Sequence, residues 1–138
     1  MSKRSATLHA TCVAIAGKGI LITGPSGSGK SALALQLIPL GAVLVADDRT
    51  HITCDANTLF AAPPNTIAGM IEARGVGIIT VPYLETAPVA LAIDMDRLER
   101  ERLPLRHSMT VLDITLPCLH KVDAPYFPAA IYAYLKGS

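Results

Sequence analysis

Apolar runs broken by short polar or glycine-bearing segments divide the chain into many strands and two helices. Residues 1–7 are polar and are expected to be loose. The apolar run 8–16 reads as a strand, Gly17-Lys18-Gly19 as a tight turn and residues 20–23 as the returning strand, which together predict a hairpin. Ala32-Leu33-Ala34-Leu35-Gln36-Leu37-Ile38 continues as a helix that Pro39 and Gly41 should end. Residues 42–46 are continuously apolar, as a buried strand would be. Two short strands, 51–54 and 58–61, are expected around the turn Asp55-Ala56-Asn57. Residues 67–72 could form a short helix, 74–77 a loop and 78–81 a strand. Residues 88–93 predict another buried strand, and 94–106 a charged, solvated loop or helical turn. Residues 109–116 alternate Val111, Asp113 and Thr115 against Leu112, Ile114 and Leu116, the pattern of one half-buried strand. Residues 126–135 form a closing helix. The sum is an α/β fold: a single domain spanning residues 1–138 with a mixed central sheet and no internal repeat.

Composition narrows the class. The 138 residues lack Trp, so the core must rest on Leu, Ile, Val and Ala. A net charge of +1 gives no reason to invoke nucleic acid or an anionic membrane as partner. Cys12, Cys54 and Cys118 are far apart, which suits buried reduced thiols rather than a disulfide frame or zinc site. Lys3-Arg4 precedes an apolar run too short for a good signal peptide and interrupted by Thr11. No stretch approaches the roughly 20 apolar residues of a membrane span. The expectation is a cytoplasmic protein.

The chemistry is concentrated at Gly24-Pro25-Ser26-Gly27-Ser28-Gly29-Lys30-Ser31, a complete phosphate-binding G-x-x-x-x-G-K-[ST] loop between a strand and a helix. Glycines let backbone N–H groups approach phosphate oxygens, and the following helix offers unpaired N–H groups to the same anion. Lys30 is expected to reach the β/γ-phosphates, and the Ser31 hydroxyl to ligate Mg²⁺. The chain is therefore expected to bind a nucleoside triphosphate. Asp47-Asp48 ends the buried strand 42–46, where carboxylates meet ligands in open α/β sheets. If strand alternation holds there, one aspartate faces the phosphates. The other holds Mg²⁺ through water or braces the loop. Glu72 and Arg74, beside Gly75 and Gly77, could serve a metal and a phosphate, or simply pair with each other. His9 heads the strand before the loop. His51, His107 and His120 show no ligand spacing and receive no role.

Four stretches in this order carry a family resemblance: His9, the loop 24–31, Leu44-Val45-Ala46-Asp47-Asp48, and Ile71-Glu72-Ala73-Arg74-Gly75-Val76-Gly77-Ile78-Ile79. Together they resemble the catalytic domain of the HPr kinase/phosphorylase family over residues 8–135. The resemblance implies the fold of that family and of the related phosphoenolpyruvate carboxykinases. It implies an ATP- and Mg²⁺-dependent serine kinase acting on an HPr-type phosphocarrier, with no nucleic-acid or membrane partner. It also implies a homo-oligomer, hexameric as in the family. By the same resemblance Lys30 contacts the nucleotide, Ser31 and Glu72 serve the metal beside Asp47, and Asp48 accepts the seryl proton with His9 next to it. Arg102 matches an arginine that stabilises phosphoryl charge. The chain looks like a short form without the family's N-terminal domain. Ala32 stands where an acid commonly follows the loop, and residues 120–125 replace a loop rich in arginine that the phosphorolysis direction uses. The expectation is thus a kinase with little phosphorylase activity. The competing readings are a small-molecule kinase and a nucleotide-binding regulatory module.

Overall fold

The apolar triplet Ile20-Leu21-Ile22 lies at the centre of the fold, its side chains alternating between two apolar layers. In the computed structural model of the chain, residues 4–137 are described. The elements in order are β1 (Arg4–Leu8), β2 (Ala10–Ile15), β3 (Lys18–Thr23), α1 (Lys30–Leu37), β4 (Val43–Ala46), β5 (Thr50–Asp55) and β6 (Thr58–Ala62). There follow β7 (Met70–Ala73), β8 (Gly77–Thr80), β9 (Ala87–Leu98), β10 (His107–Val111), β11 (Ile114–Lys121) and α2 (Phe127–Lys136). Short 3₁₀ turns occupy Ile38–Leu40 and Asn65–Ile67.

The main sheet is mixed, in the order β1-β5-β6-β9-β3-β2-β4, with the β10–β11 hairpin joined to β9 through β11. β3 lies between β2, its antiparallel hairpin partner, and β9, its parallel neighbour. β9 also takes β6 antiparallel at its start and β11 parallel further along. Strands β7 and β8 form a separate two-stranded ribbon.

Both faces of the sheet are covered. Val13, Ile15, Ile20 and Ile22 pack with Leu33 and Leu37 of α1 and Ile131 and Leu135 of α2. Helix α1 presents Lys30, Leu33, Ala34 and Leu37 inward, the spacing of one helical face. Phe127, Ile131 and Leu135 do the same for α2. On the opposite face Cys12, Leu21 and Ala92 pack with Ile52, Leu59, Leu116 and Cys118. All three cysteines are buried free thiols, and burial pushes the Cys12 thiol up to about 12.

Several expected elements are corrected. Residues 4–7 are not loose but form most of β1, an edge strand paired with β5; residues 1–3 lie outside the described residues. The short helix expected over 67–72 is instead a 3₁₀ turn followed by β7. Gly69 (φ 75°) sits where an added Cβ would meet the Tyr83 ring at 2.8 Å, and it turns the chain out of the helical path. The strand expected over 88–93 runs on to Leu98, so the solvated loop is confined to 99–106. The single strand expected over 109–116 is a hairpin. Leu112 (φ 47°) and Asp113 (φ 63°) make the two-residue turn between β10 and β11.

Candidate active site

The chain leaves β3 into residues 24–29 and re-enters regular structure at Lys30. Gly24 has φ 145°, and a Cβ on it would lie 2.6 Å from Ser28 Oγ and 3.1 Å from Met95 Cβ. No other residue allows that exit. Gly29 precedes α1 with φ 99°, and the Ser28 N–H donates to Pro25 O at 3.1 Å, closing the loop. Helix α1 thus begins at the loop, and its first N–H groups are of the kind that receive anions. Lys30 is 6% exposed, and its Nζ donates to Gly24 O at 2.8 Å and Pro25 O at 3.1 Å. The ammonium is thereby folded back over the loop, with a third donor still to place.

Opposite the loop, β4 stops at Ala46 and the chain turns sharply. Asp48 takes φ 68°, and the Arg49 N–H donates to Asp47 O at 2.7 Å. This left-handed turn, rather than strand alternation, separates the two carboxylates. Asp47 is 6% exposed and accepts three hydrogen bonds: its Oδ1 from Ser31 Oγ at 2.5 Å and Thr11 Oγ1 at 3.0 Å, and its Oδ2 from the Glu72 N–H at 3.1 Å. Asp48 is open, its side chain 62% exposed, and its Oδ1 lies 2.7 Å from His9 Nε2. Its backbone N–H donates to Thr11 Oγ1 at 3.3 Å.

A cleft of about 600 Å³ joins these pieces, with Ser26, Gly27, Lys30, Ser31, Asp48 and Glu72 on its walls. That volume suits a ligand of nucleotide size. Glu72 belongs to β7, between the buried Ile71 and Ala73, and Arg74 follows on the same rim. Ser31, Asp47 and Glu72 are hard oxygen donors, the chemistry that Mg²⁺ takes, and Lys30 adds the cation that phosphates require. A second hollow of about 370 Å³ lies across the loop, bordered by Ser28, Met95, Lys121 and Phe127. Residues 121–125 run along it, and Lys121 Nζ donates to Ser28 O at 3.5 Å.

The structure therefore brings residues 24–31, Asp47, Asp48, Glu72 and His9 together. Arg102 is exposed in loop 99–106 and is not part of the cleft wall. Thr11 escaped sequence reasoning. It is fully buried and joins the two aspartates, and the available signal was a lone hydroxyl in an apolar strand. No described helix is long and apolar enough to cross a membrane.

Comparison with known proteins follows the same lines. The family described as HPr Serine kinase C-terminal domain matches residues 1–117. The HPr kinase/phosphorylase of Geobacillus thermodenitrificans is 40% identical over 125 residues, covering 81% of this chain and 40% of that protein. The HPr kinase/phosphorylase of Clostridium tetani is 51% identical over 77 residues, covering 56% of this chain and 25% of that protein. The chain thus spans well under half the length of the curated relatives it matches. A solved structure, the Hpr(Ser) kinase/phosphatase from Coxiella burnetii, superposes with a TM-score of 0.80 at 29% identity, covering 96% of this chain and 95% of that one. With the loop, the aspartate pair and the sheet in one arrangement, the chain belongs to the HPr serine kinase C-terminal domain family.

Proposed function

We propose that this chain is an ATP- and Mg²⁺-dependent protein kinase that phosphorylates a seryl group of an HPr-type phosphocarrier in the cytoplasm. Residues 1–138 act as one catalytic domain, assembled as a homo-oligomer. The observation that carries the reading is the unequal environment of the aspartate pair. Asp47 is buried and holds three hydrogen bonds, so it orders Ser31 and the Glu72 backbone. Asp48 is exposed on the cleft wall, and among the described residues its carboxylate is hydrogen-bonded to His9 while its backbone N–H is held by Thr11, which suits it to take a proton.

Bound Mg²⁺–ATP supplies the transferable phosphoryl group and the positive charge that offsets its oxygens. Ser31, Asp47 and Glu72 would hold the metal, and Lys30 with the N–H groups of residues 24–31 would hold the phosphates. Asp48 accepts the seryl proton as the new serine O–P bond forms and the bond to the β-phosphate oxygen breaks. His9 fixes the direction of the Asp48 carboxylate. An open cleft rather than an enclosed cavity suits a seryl group delivered on a protein surface. Arg102, from loop 99–106, would have to swing to the transferring phosphoryl group or act on the acceptor protein. Of residues 120–125 only Lys121 carries a fixed positive charge, which makes phosphorolysis the weaker direction.

The test uses γ-labelled ATP, Mg²⁺ and HPr-type phosphocarriers. Label should appear on a seryl group of the carrier and be lost in Asp48→Ala and Lys30→Ala. Nucleotide binding with no transfer to any carrier, or transfer indifferent to Asp48→Ala, overturns the proposal.

A further inference from the structure

His107 and His120 are 13 positions apart in sequence, and the β10–β11 hairpin makes them neighbours. His107 opens β10 opposite Cys118 of β11, so His120, two positions on, occupies the same sheet face on the diagonal. The two imidazoles stack with centroids 3.7 Å apart and planes 9° apart. Glu99 arrives from the end of β9, where its N–H donates to Lys121 O at 2.8 Å. Its Oε1 lies 2.7 Å from His107 Nε2, and its Oε2 accepts the N–H groups of Arg100 and Glu101, each at 3.1 Å.

We propose that Glu99, His107 and His120 form a binding site for a divalent transition-metal ion of the zinc type, separate from the phosphotransfer cleft. Three observations carry it. One donor atom from each residue lies within 4.8 Å of the others. Tetrahedral coordination with bonds of about 2.0–2.1 Å places donors about 3.4 Å apart with the ion in the plane of each ring, so closing the set brings the donors together and turns the two stacked imidazoles out of parallel. Next, the carboxylate is already oriented. Two backbone N–H groups fix Oε2, leaving Oε1 to face the imidazoles, as supporting hydrogen bonds do around ligating carboxylates. Finally, the His120 side chain makes no hydrogen bond among the described residues, so its ring nitrogens are available. The His107 hydrogen bond and these two N–H donors also hold the Glu99 carboxyl below the usual carboxylate range.

Two imidazoles and one carboxylate select zinc, cobalt, nickel or copper over Mg²⁺, which prefers an all-oxygen set like that of the cleft. The His107 side chain is 30% exposed, leaving access for a water as fourth ligand. Occupancy would tie Glu99 and His107, the two ends of loop 99–106, to β11. Arg100, Arg102 and Arg106 in that loop would then start from a clamped base.

The test titrates Co²⁺ into the full chain in excess Mg²⁺ and follows visible d–d absorption, with Zn²⁺ competition for affinity. One saturable equivalent is expected. Glu99→Gln, His107→Ala and His120→Ala should each weaken it by roughly tenfold or more, since loss of even a supporting contact costs 10- to 100-fold. Glu72→Gln in the cleft should leave it unchanged. His107→Asn and His120→Asn serve as second variants, and circular dichroism reports folding throughout. Failure of the folded wild-type chain to bind Co²⁺, or a signal surviving in the double histidine variant, overturns the proposal. A signal that follows Glu72 instead also overturns it.

Discussion

Replacing Thr11 by Val keeps the β-branching at a fully buried position and exchanges the hydroxyl for a methyl. Two hydrogen bonds go with it: the one donated to Asp47 Oδ1 at 3.0 Å and the one accepted from the Asp48 N–H at 3.3 Å. A bond to a charged group contributes about 1.5–3 kcal/mol, and a neutral one about 1 kcal/mol. The added methyl returns less than about 1 kcal/mol by burial. The net loss is therefore about 2–3 kcal/mol. At about 3–4 °C per kcal/mol for a chain of this size, Tm should fall by roughly 6–12 °C. Urea unfolding should give a lower midpoint with an unchanged slope, since the exposed area is the same. Thr11→Ser keeps the hydroxyl and should recover most of the loss. Because Asp48 loses its backbone anchor, kcat for the proposed phosphoryl transfer should fall more than ATP affinity. A Thr11→Val protein within about 0.5 kcal/mol of wild type, or no better rescued by serine than by alanine, refutes the reasoning.

Other outcomes follow from the same geometry. Lys30→Ala removes a charged donor from the loop and should weaken ATP binding by about 10- to 100-fold, measured by calorimetry. Ala56 is exposed and sits at φ 52° in the two-residue β5–β6 turn, so Ala56→Gly should stabilise by about 0.5–1 kcal/mol in urea titration. Cys12 should resist alkylation in the native chain at mildly alkaline pH while the urea-unfolded chain is labelled, as read by mass spectrometry. Its folded thiol is held up to about 12. Its contribution to stability is therefore complete below the ordinary thiol range near about 8.5 and is lost as pH rises above that range.

The sequence showed most clearly those features in which local chemistry and tertiary structure agree. Gly17 marked the β2–β3 hairpin, and Gly-Lys-Ser marked the start of α1. Leu112-Asp113 gave no such mark, because a hydrophobic and an acidic residue fill a turn usually made by Asn and Gly. The alternation across that turn therefore read as one strand. Ile67, Met70 and Ile71 happen to carry helical spacing, while the close approach of the Tyr83 ring to Gly69 decides the actual path. β1 was hidden because it is an edge strand with Arg4, Ser5 and Thr7 outward or partly exposed, so it lacks an apolar run. At the site, the positions of single residues were legible, but their partnerships were not. Thr11 and the Glu99–His107–His120 group exist only through strand register.

The pairing of β3 with β9 has a consequence for how the chain is made. Ile22 meets Ile93, a partner 71 residues later, and such distant parallel pairing is slow to form because the intervening chain must first be closed into a loop. On a ribosome the β2–β3 hairpin is complete long before β9 emerges. During that interval Ile20, Leu21 and Ile22 offer an unpaired strand edge, apolar on both faces, to any other chain nearby. The strand that leads to the phosphate loop is thus also the segment of the nascent protein most in need of protection until its partner arrives.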